Sequence, residues 1–364
     1  MESNSKYFEV RQKALRQRMA TRKLPLLMVT KPANIFYLTG FRGSAGITIW
    51  SDSEALLLVD PRYTLQAQEQ ALGVEVVEVR DGLLRAAGRW FKKRREKRAG
   101  FEESFLTWVE FQALRRGSPA AMKWLPAGSL LENLRMVKDD LEISQIRKAC
   151  RLTAEVYEEI AGEVRPGISE KDIAVELEFR MRRRGAEGAA FETIVASGAR
   201  AALPHARASA KLLGPGELVI LDLGAILGGY MADMTRTLYL GAPDRRVRLL
   251  YRSVLSAQER AMEDLQAGVK AQEVDAAARR SLARQGLADR FTHSTGHGVG
   301  IEIHEPPRLG KSEKKRIPAG AVVTVEPGIY LKGFGGIRIE DTVLVTETGN
   351  EILTRAAKDR WRIE

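Results

Sequence analysis

The segment "ELVILDLGAILGGYMADMTRTLYLG" (217–241) contains two apolar runs joined by the short sequence LGG (227–229). Glycines at this joint permit the positive φ angles of a tight hairpin, so the segment predicts two antiparallel strands. A turn centred between the first two residues of the joint places Asp222 directly opposite Asp233, where paired Cβ atoms lie about 4.5–5.5 Å apart. Two carboxylates this close repel each other unless a cation lies between them. The hairpin therefore predicts a sheet that carries an acidic pair.

The segment "AVVTVEPGIYLKGFGGIRIEDTVLV" (321–345) repeats this organisation farther along the chain. A turn centred on Gly333 brings Glu326 opposite Glu340. A single acid in a strand most often faces solvent or caps a turn, but Asp222 and Glu326 each end an apolar run, where burial without a counter-charge is costly. Four hard oxygen ligands and one neutral imidazole suit two divalent ions about 3.5–4 Å apart. The two acidic pairs therefore predict a dinuclear metal site.

Three of the four histidines lie in the segment "FTHSTGHGVGIEIHE" (291–305). The four histidines are His205, His293, His297 and His304. The stretch around His297 is too glycine-rich for a helix, so this residue does not form a helical zinc pair with His293. We expect a strand over 299–303 that ends at a rigid turn with His304. A Gly-His-Gly sequence is by itself a weak indication of a metal ligand, although its glycines let an imidazole approach a crowded centre.

The part of the chain after residue 136 has the pattern of an internal duplication. Asp139 or Asp140 is positioned to cap a helix over 140–163, which leads into a second helix ending near residue 184 and then into strands. The same series recurs from residue 244. The matching pairs, all at one offset, are Gly167-Ile168 with Gly268-Val269 and Asp172-Ile173 with Glu273-Val274. The duplication predicts a pseudo-symmetric α+β domain with its pocket between the two halves.

Residues 1–135 have a different pattern, in which short apolar runs alternate with helix-like stretches. The β-like runs lie at 24–30, 45–50, 55–60 and 74–79, and the helix-like stretches at 7–20, 83–98 and 107–116. This alternation predicts an α/β domain. We therefore expect two domains, 1–135 and 136–364.

The composition excludes several classes of protein. Hydrophobic residues make up 44% of the chain and charged residues 29%, and no apolar run approaches the roughly 18 residues that a membrane span needs. The N-terminus has no apolar core of a secretory signal, so a cytoplasmic location is the default expectation. Cys150 is the only cysteine, which excludes an internal disulfide and a cysteine-based zinc site. The net charge of +11 is spread widely, and the densest run, "KKRREKR" (92–98), is interpreted as a solvated helix end rather than a nucleic-acid contact.

These motifs together resemble the pita-bread metallopeptidases, and specifically the Xaa-Pro peptidases of the prolidase and aminopeptidase P type. The resemblance rests on "FETIVASG" (191–198), "LPHA" (203–206), "LDLGAILGGYMADMTRTL" (221–238), "HSTGHGVGIEIHE" (293–305), "VEPGIY" (325–330) and "GIRIEDTVLVTE" (336–347). In the first domain "NIFYLTGFRGSAG" (34–46) and "LLLVDPRY" (56–63) are similar to the creatinase-type N-terminal domain. The resemblance implies an α/β N-terminal creatinase-like domain followed by an α+β C-terminal pita-bread catalytic domain.

The resemblance also implies roles for single residues. The metal ligands it implies are Asp222, Asp233, His297, Glu326 and Glu340, with Asp233 and Glu340 bridging both ions. Glu326 is the implied general base, and His205 and His304 are the implied groups that orient the scissile carbonyl and stabilise the oxyanion. Arg308 occupies the position of a substrate-carboxylate arginine, and Phe191 is the expected pocket wall. His293 is expected to support the site from behind, or only to satisfy a structural hydrogen bond.

The implied reaction is hydrolysis of the bond between an N-terminal residue and proline, with two divalent ions as cofactors. Mn²⁺ is the expected ion, and Co²⁺ or Zn²⁺ suits the same donors. The expected partners are a proline-containing dipeptide or short peptide and a second copy of the chain, with no nucleic acid and no membrane. A dipeptidase and an aminopeptidase both remain open. The alternatives are a metal-free creatinase-like hydrolase, a methionyl aminopeptidase, which would not need residues 1–135, and a non-catalytic binding protein of the same fold.

One short segment departs from the family pattern. Ala199 and Arg200 stand where relatives more often carry a Pro-Asn or similar pair. Their position between two matching motifs puts them close to the expected substrate site.

Overall fold

The computed structural model describes residues 2–363, so Met1 and Glu364, the outer ends of the two expected domains, lie outside the described residues. The described residues form two compact units that divide between Arg135 and Met136. No described helix combines the length and the apolar character needed to cross a membrane.

The first unit contains one sheet and the helices that surround it. Its elements are α1 (Glu2–Thr21), β1 (Leu27–Val29), α2 (Pro32–Thr39), β2 (Ile47–Trp50), β3 (Ala55–Val59), α3 (Thr64–Gln70), β4 (Glu75–Glu78), α4 (Leu83–Lys92), β5 (Arg98–Phe101), α5 (Trp108–Gly117), β6 (Lys123–Pro126) and α6 (Leu130–Arg135). The strands are ordered β4-β3-β2-β1-β5-β6. The pairs β3-β4, β1-β5 and β5-β6 are parallel, and β2 is antiparallel to both of its neighbours. The predicted α/β class is confirmed.

One helix boundary in this unit was predicted wrongly. The helix expected over 83–98 ends at Lys92, and Arg98 already belongs to β5. Ala99 is fully buried, and the strand pairs with β1 and β6, so sheet pairing overrides the helical propensity of the basic run. Most of the run 92–98 is exposed, as expected for a solvated helix end, although Arg94 stacks on the Trp90 ring at 3.9 Å.

The second unit combines two helix pairs with short antiparallel sheets. Its elements are α7 (Asp140–Ala161), α8 (Glu170–Arg183), β7 (Gly188–Ala189), β8 (Ile194–Ser197), β9 (Leu218–Leu223), β10 (Ala225–Leu227), β11 (Tyr230–Met231), β12 (Met234–Leu240), α9 (Arg245–Asp264), α10 (Ala271–Ala283), β13 (Gly296–Gly298), β14 (Glu305–Leu309), β15 (Val322–Val325), β16 (Gly328–Leu331), β17 (Gly335–Arg338), β18 (Asp341–Val345), β19 (Asn350–Ile352) and β20 (Arg362–Ile363). Two longer sheets have the orders β20-β12-β9-β8 and β14-β13-β15-β18-β19. Apolar residues of α7 and α8 pack on the first, and those of α9 and α10 pack on the second.

The predicted duplication is confirmed by equivalent backbone hydrogen bonds in the two halves. Gly167 and Gly268 both have positive φ, +91° and +83°, at the turn that enters the second helix of each pair. The Gly167 N–H donates to Leu213 O at 2.9 Å, and the Gly268 N–H donates to Ile317 O at 2.8 Å. Each half therefore turns into its helix in the same way, and the turn binds the segment that precedes the first long strand that follows, β9 in one half and β15 in the other.

Helix caps fix where these helices begin. Asp139, rather than Asp140, caps α7: its side chain accepts a hydrogen bond from the Glu142 N–H at 3.0 Å. Glu142 in turn accepts one from the Asp139 N–H at 3.2 Å, which completes a capping box. Ser169 caps α8 in a similar way, with a 3.0 Å bond from the Asp172 N–H.

The strand predicted over 299–303 is wrong. β13 ends at Gly298, the chain bends through 300–304, and the next strand starts only at Glu305. The Gly300 N–H donates to Glu302 O at 3.1 Å, and the Glu305 carboxylate accepts the Glu302 N–H at 3.0 Å. This local turn satisfies backbone groups that a strand would have paired with a neighbour.

Candidate metal centre and active-site cavity

A cavity of about 720 Å³ opens in the second unit, and all ten residues singled out in the sequence line it. These ten are Phe191, His205, Asp222, Asp233, His293, His297, His304, Arg308, Glu326 and Glu340. The cavity is also lined by residues that the sequence did not single out, among them Glu192, Arg207, Glu305 and Arg338. Residues that are far apart in sequence therefore meet at one place in the fold.

The register of the first hairpin differs from the prediction. Asp222 pairs with Thr235, not with Asp233, because the turn is centred between Gly228 and Gly229. Asp233 therefore lies diagonally from Asp222, on the same face of the sheet, since side chains two residues apart on a strand share a face. The two carboxylates still meet at the cavity, but as diagonal neighbours.

Gly224 makes room for this diagonal arrangement. The ladder continues past Asp222 through the bond from the Ala232 N–H to Ala225 O, so Gly224 lies opposite Asp233. A Cβ atom added at Gly224 would lie 1.9 Å from Ala232 O. The absence of a side chain there lets the two strands approach closely beside the acidic residues.

The register of the second hairpin is confirmed. β15 pairs with β18 and β16 with β17 in one continuous antiparallel register, which places Glu326 opposite Glu340. Glu326 lies between β15 and β16, where its N–H donates to Thr295 O at 2.8 Å. Glu340 lies between β17 and β18, where its N–H donates to Thr235 O at 3.1 Å. Both glutamates interrupt their strands at the edge of the cavity.

His297 faces the carboxylates with an imidazole nitrogen free to ligate. Its Nδ1 lies 3.1 Å from Gly298 O, an oxygen that can only accept, so Nδ1 carries the proton. The unprotonated Nε2 lies 3.6 Å from both Asp233 Oδ2 and Glu326 Oε1. Burial, followed by repulsion from His304, lowers the pKa of His297 to about 4, so the ring is neutral near pH 7. A neutral imidazole held in one tautomer is the form that binds metal.

The carboxylates of the cluster outnumber the one guanidinium, that of Arg338, which faces them. Burial, then repulsion from Glu340, raises the pKa of Asp233 well above its usual range. Burial, then repulsion from Glu326, raises the pKa of Glu340 in the same way. Burial raises the pKa of Glu326 to about 7, although the Arg338 guanidinium opposes the shift. Raised pKa values mean that ionising these carboxylates is costly, and a bound cation would reduce that cost.

The donor atoms fit divalent metal ions. One ligand atom each from Asp233, His297 and Glu340 lie within 4.8 Å of one another. The buried Asp222 Oδ1 has no hydrogen-bond partner among the described residues, although it lines the same cavity. Hard oxygen donors with a single imidazole suit Mn²⁺, Co²⁺ or Zn²⁺. The unsatisfied oxygen and the raised pKa values both fit a role of these residues as metal ligands.

Arg338 is a residue of this site that the sequence reasoning missed. Its Nη2 donates to Asp222 Oδ2 at 2.6 Å, its Nε to Thr235 Oγ1 at 3.1 Å, and its Nη1 to Tyr330 OH at 2.8 Å. Arg338 ends β17 and lies two residues before Glu340, in a stretch of extended backbone where residues two apart share a face. The sequence spacing already contained this signal. Arg338 holds one oxygen of Asp222 and leaves the other free.

His293 contacts the site from outside the ligand cluster. Its Nδ1 donates to Ser294 O at 2.8 Å, so the Tyr330 hydroxyl, 2.8 Å from Nε2, donates to the ring. The Nδ1 atom lies 3.8 Å from Glu326 Oε2. Burial and the nearby Arg338 lower the pKa of His293 to about 4. A chain of hydrogen bonds therefore connects Arg338 through Tyr330 to the imidazole beside Glu326.

Equivalent positions of the two hairpins contact each other. Thr235 occupies in the first hairpin the place that Glu340 occupies in the second, and its Oγ1 donates to Glu340 Oε2 at 2.5 Å. Arg236 and Asp341, the next residues on these strands, form a fully buried ion pair at 2.8 Å. The two halves therefore meet about a pseudo-twofold axis beside the acidic cluster.

The remaining predicted residues lie farther out in the cavity. His205 and His304 are exposed, and the His304 ring lies 4.3 Å from the His297 ring. Burial, then repulsion from His205, lowers the pKa of His304. Arg308 is exposed, and Phe191 is half-buried. These side chains surround the space in front of the carboxylates.

Comparisons with known proteins agree with this arrangement. The Metallopeptidase family M24 model matches residues 144–347, and the Creatinase/Prolidase N-terminal domain model matches residues 11–137. An Xaa-Pro dipeptidase of Pyrococcus horikoshii is 34% identical over 343 residues, which cover 94% of this chain and 95% of that protein.

Two solved structures have nearly the same backbone along their whole length. An Xaa-Pro dipeptidase from Bacillus anthracis has a TM-score of 0.94 at 36% identity and covers 98% of this chain and 100% of its own. An X-Pro aminopeptidase from Thermotoga maritima has a TM-score of 0.90 at 36% identity, with 97% and 99% covered. The chain belongs to Metallopeptidase family M24 and is a metal-dependent peptidase with a creatinase/prolidase N-terminal domain.

Proposed function

We propose that the protein hydrolyses the peptide bond between an N-terminal residue and proline. The observation that carries the proposal is the convergence of one imidazole and four carboxylates at a cavity large enough for a dipeptide. Relatives with similar sequences are named Xaa-Pro dipeptidase. A metal-free creatinase-like hydrolase or a non-catalytic protein would not need four carboxylates gathered beside a single arginine.

The proposed ligands of two divalent ions are Asp222, Asp233, His297, Glu326 and Glu340. The ions would polarise the scissile carbonyl and lower the pKa of the attacking water. Mn²⁺ is the proposed ion, with Co²⁺ and Zn²⁺ as the alternatives. Asp233 and Glu340, whose pKa values are raised well above their usual range by burial and then by neighbouring carboxylates, are the residues that would hold both ions.

Glu326 is the proposed general base. Its carboxylate accepts a proton from water as the water oxygen bonds to the carbonyl carbon, and it delivers that proton to the proline nitrogen as the C–N bond breaks. A secondary amine is a poor leaving group unless it is protonated, so both transfers are needed. His293, 3.8 Å from Glu326 Oε2, limits the positions that this carboxylate can take.

His205 and His304 are proposed to bind the carbonyl oxygen as negative charge develops on it. Both rings line the cavity in front of the carboxylates. The pKa of His304 is lowered, so near pH 7 it acts as a neutral N–H donor and not as a competing cation. Phe191, also in the cavity wall, is proposed to contact the proline ring.

Arg308 is proposed to bind the carboxylate of a dipeptide substrate. Three arginines line the cavity, and two of them are paired, Arg207 with Glu192 at 3.1 Å and Arg338 with Asp222 at 2.6 Å. Arg308 forms no ion pair with any described residue, so it is the cation available to substrate. This observation favours a dipeptidase over an aminopeptidase.

Replacing Arg308 by alanine is expected to raise KM for Ala-Pro about 10- to 100-fold, because a charge-assisted hydrogen bond to the substrate carboxylate is lost. Steady-state kinetics on Ala-Pro and on Ala-Pro amide measure the effect, and the amide should lose little. Arg207→Ala is the matched control, since its cation is already paired. An equal loss on both substrates would contradict this role of Arg308.

Hydrolysis of Ala-Pro tests the proposed function itself. We expect purified protein stripped with a chelator to be inactive, and activity to return with Mn²⁺ or Co²⁺. Ala-Pro should be cleaved faster than Ala-Pro-Ala. Faster cleavage of the tripeptide would instead assign an aminopeptidase, and no cleavage of either would contradict the proposal.

Three broader expectations accompany this function. We propose that residues 1–135 and 136–364 are separate domains, that the protein is a homodimer and that it acts in the cytoplasm. Light scattering coupled to size-exclusion chromatography measures the molar mass of the protein in solution and so tests whether it is a homodimer.

A further inference from the structure

The loop that carries His205 is long and has little regular structure. It connects β8 to β9 over residues 198–217 and contains one short 3₁₀ turn, Gly198–Ala202. Loops longer than about 12–15 residues without regular structure are uncommon and are usually either functional or disordered. The His205 ring forms no hydrogen bond to a described residue, so its position depends on the backbone of the loop. The contacts that hold the loop backbone in place therefore also determine where the His205 ring lies.

A single buried carboxylate binds two points of this segment, Ser197 just before the loop and Ser209 within it. Glu170, the first residue of α8, has no solvent exposure. Its Oε1 accepts hydrogen bonds from the N–H and hydroxyl of Ser197 at 2.8 and 3.0 Å. Its Oε2 accepts from the N–H and hydroxyl of Ser209 at 3.1 and 2.7 Å. Four bonds from residues twelve positions apart thus converge on one side chain.

Arg200 links Glu170 to the part of the loop next to His205. Its Nε donates to Glu170 Oε2 at 2.9 Å, and its Nη2 donates to Arg207 O at 2.5 Å. Arg200 is one of the two residues at which the chain departs from the family pattern. It does not belong to the wall of the cavity; its guanidinium is directed to Glu170 instead. The loop is also held from the cavity side, where Arg338 Nη1 donates to Pro204 O at 3.2 Å.

The hydrogen bonds from Ser197, Arg200 and Ser209 to Glu170 form the anchor of this loop, and the negative charge of Glu170 strengthens them. Burial acts to raise its pKa, but the hydrogen bonds from Ser209, Ser197 and Arg200 outweigh burial and lower the pKa below its ordinary value. The side chain is therefore an ionised acceptor, and hydrogen bonds to charged groups are stronger than neutral ones. A neutral amide at this position would offer one acceptor atom where two are used.

We propose that Glu170 is a positioning residue that holds His205 at the cavity through Ser197, Arg200 and Ser209. It contacts neither the acidic cluster nor the cavity, so it acts only through the loop. The consequence for catalysis rests on the proposed function of His205, whereas the anchoring of the loop does not.

Hydrogen exchange of the metal-free protein tests the anchor without using activity. In Glu170→Gln the backbone amides of 198–209 should exchange about 10- to 100-fold faster, with no change in α9 and α10. Glu176→Gln is the matched control, because Glu176 lies on the same helix and forms a 2.7 Å exposed ion pair with Arg180. If Glu170→Gln does not fold, Ser209→Ala removes one of the four bonds and should give a smaller increase. Unchanged exchange in the folded variants would overturn the anchor.

A double-mutant cycle with His205 tests the positioning role. Glu170→Gln should lower kcat/KM for Ala-Pro about 10-fold, mainly through kcat, with its bound metal content unchanged. In a His205→Ala background, Glu170→Gln should lower kcat/KM by less than about 2-fold, because the histidine that Glu170 positions is already absent. Fully additive losses would overturn the positioning role. An inactive wild-type enzyme would refute the proposed function, while faster exchange in Glu170→Gln would still support the anchor.

Discussion

Replacing Glu326 by glutamine is expected to lower kcat for Ala-Pro by at least about 1,000-fold. A general base contributes about 100- to 10,000-fold by itself, and this residue is also a proposed metal ligand. Glutamine keeps the size of the side chain but can neither accept the proton from water nor offer an ionised oxygen. Steady-state assays with excess Mn²⁺ and with Co²⁺ measure the loss.

Two controls make this result interpretable. Glu192→Gln changes another acid of the same cavity that is largely exposed and paired with Arg207, and it should retain activity. Metal analysis of Glu326→Gln separates loss of the base from loss of ions. If the variant binds its metal and still turns over at more than about a tenth of the normal rate, Glu326 is not the base.

The same substitution is expected to stabilise the metal-free protein at alkaline pH. Because the folded state raises the pKa of Glu326 from 4.5 to about 7, its contribution to stability is fully present below pH 4.5 and is lost as the pH rises through about 7. Glutamine does not titrate. In the presence of a chelator, Glu326→Gln should therefore be more stable than the wild type by about 3 kcal/mol at pH 8 and by less than about 1 kcal/mol at pH 5.

Urea denaturation at the two pH values measures this difference. The lowered pKa values of His293 and His297 act in the opposite direction, but both rings titrate in both proteins, so their contributions cancel. Saturating Mn²⁺ should reverse the order, because the wild type binds the ion more tightly and binding stabilises the folded state. If the difference in stability between the two proteins depends on neither pH nor metal, the buried acidic cluster does not destabilise the metal-free protein.

The sequence predicted the elements of this site better than their exact pairing. Alternating apolar runs that end in an acid identified both hairpins, and the opposition of Glu326 to Glu340 was correct. The opposition of Asp222 to Asp233 was wrong, because either residue pair within a glycine-rich joint can form the centre of the turn. The error moved one acid by two residues along its strand, which keeps it on the same face, so the predicted cluster survived.

Other features depend on contacts that a local pattern does not encode. The strand β5 follows a basic run that favours a helix, and only its neighbours in the sheet make it a strand. The strand expected over 299–303 is replaced by a turn that the Glu305 carboxylate stabilises. Arg338 was missed because an isolated arginine in a strand usually faces solvent, and only the fold shows that it is paired with Asp222.

The contacts across the pseudo-twofold axis limit how similar the two halves can be. A residue near such an axis faces its own counterpart, as Thr235 faces Glu340 and Arg236 faces Asp341. Two identical halves would place arginine against arginine, or glutamate against glutamate, in a buried environment. The two repeats can therefore pack together only because their sequences differ at these positions. A version of this unit with two identical repeats would fail to fold at its centre.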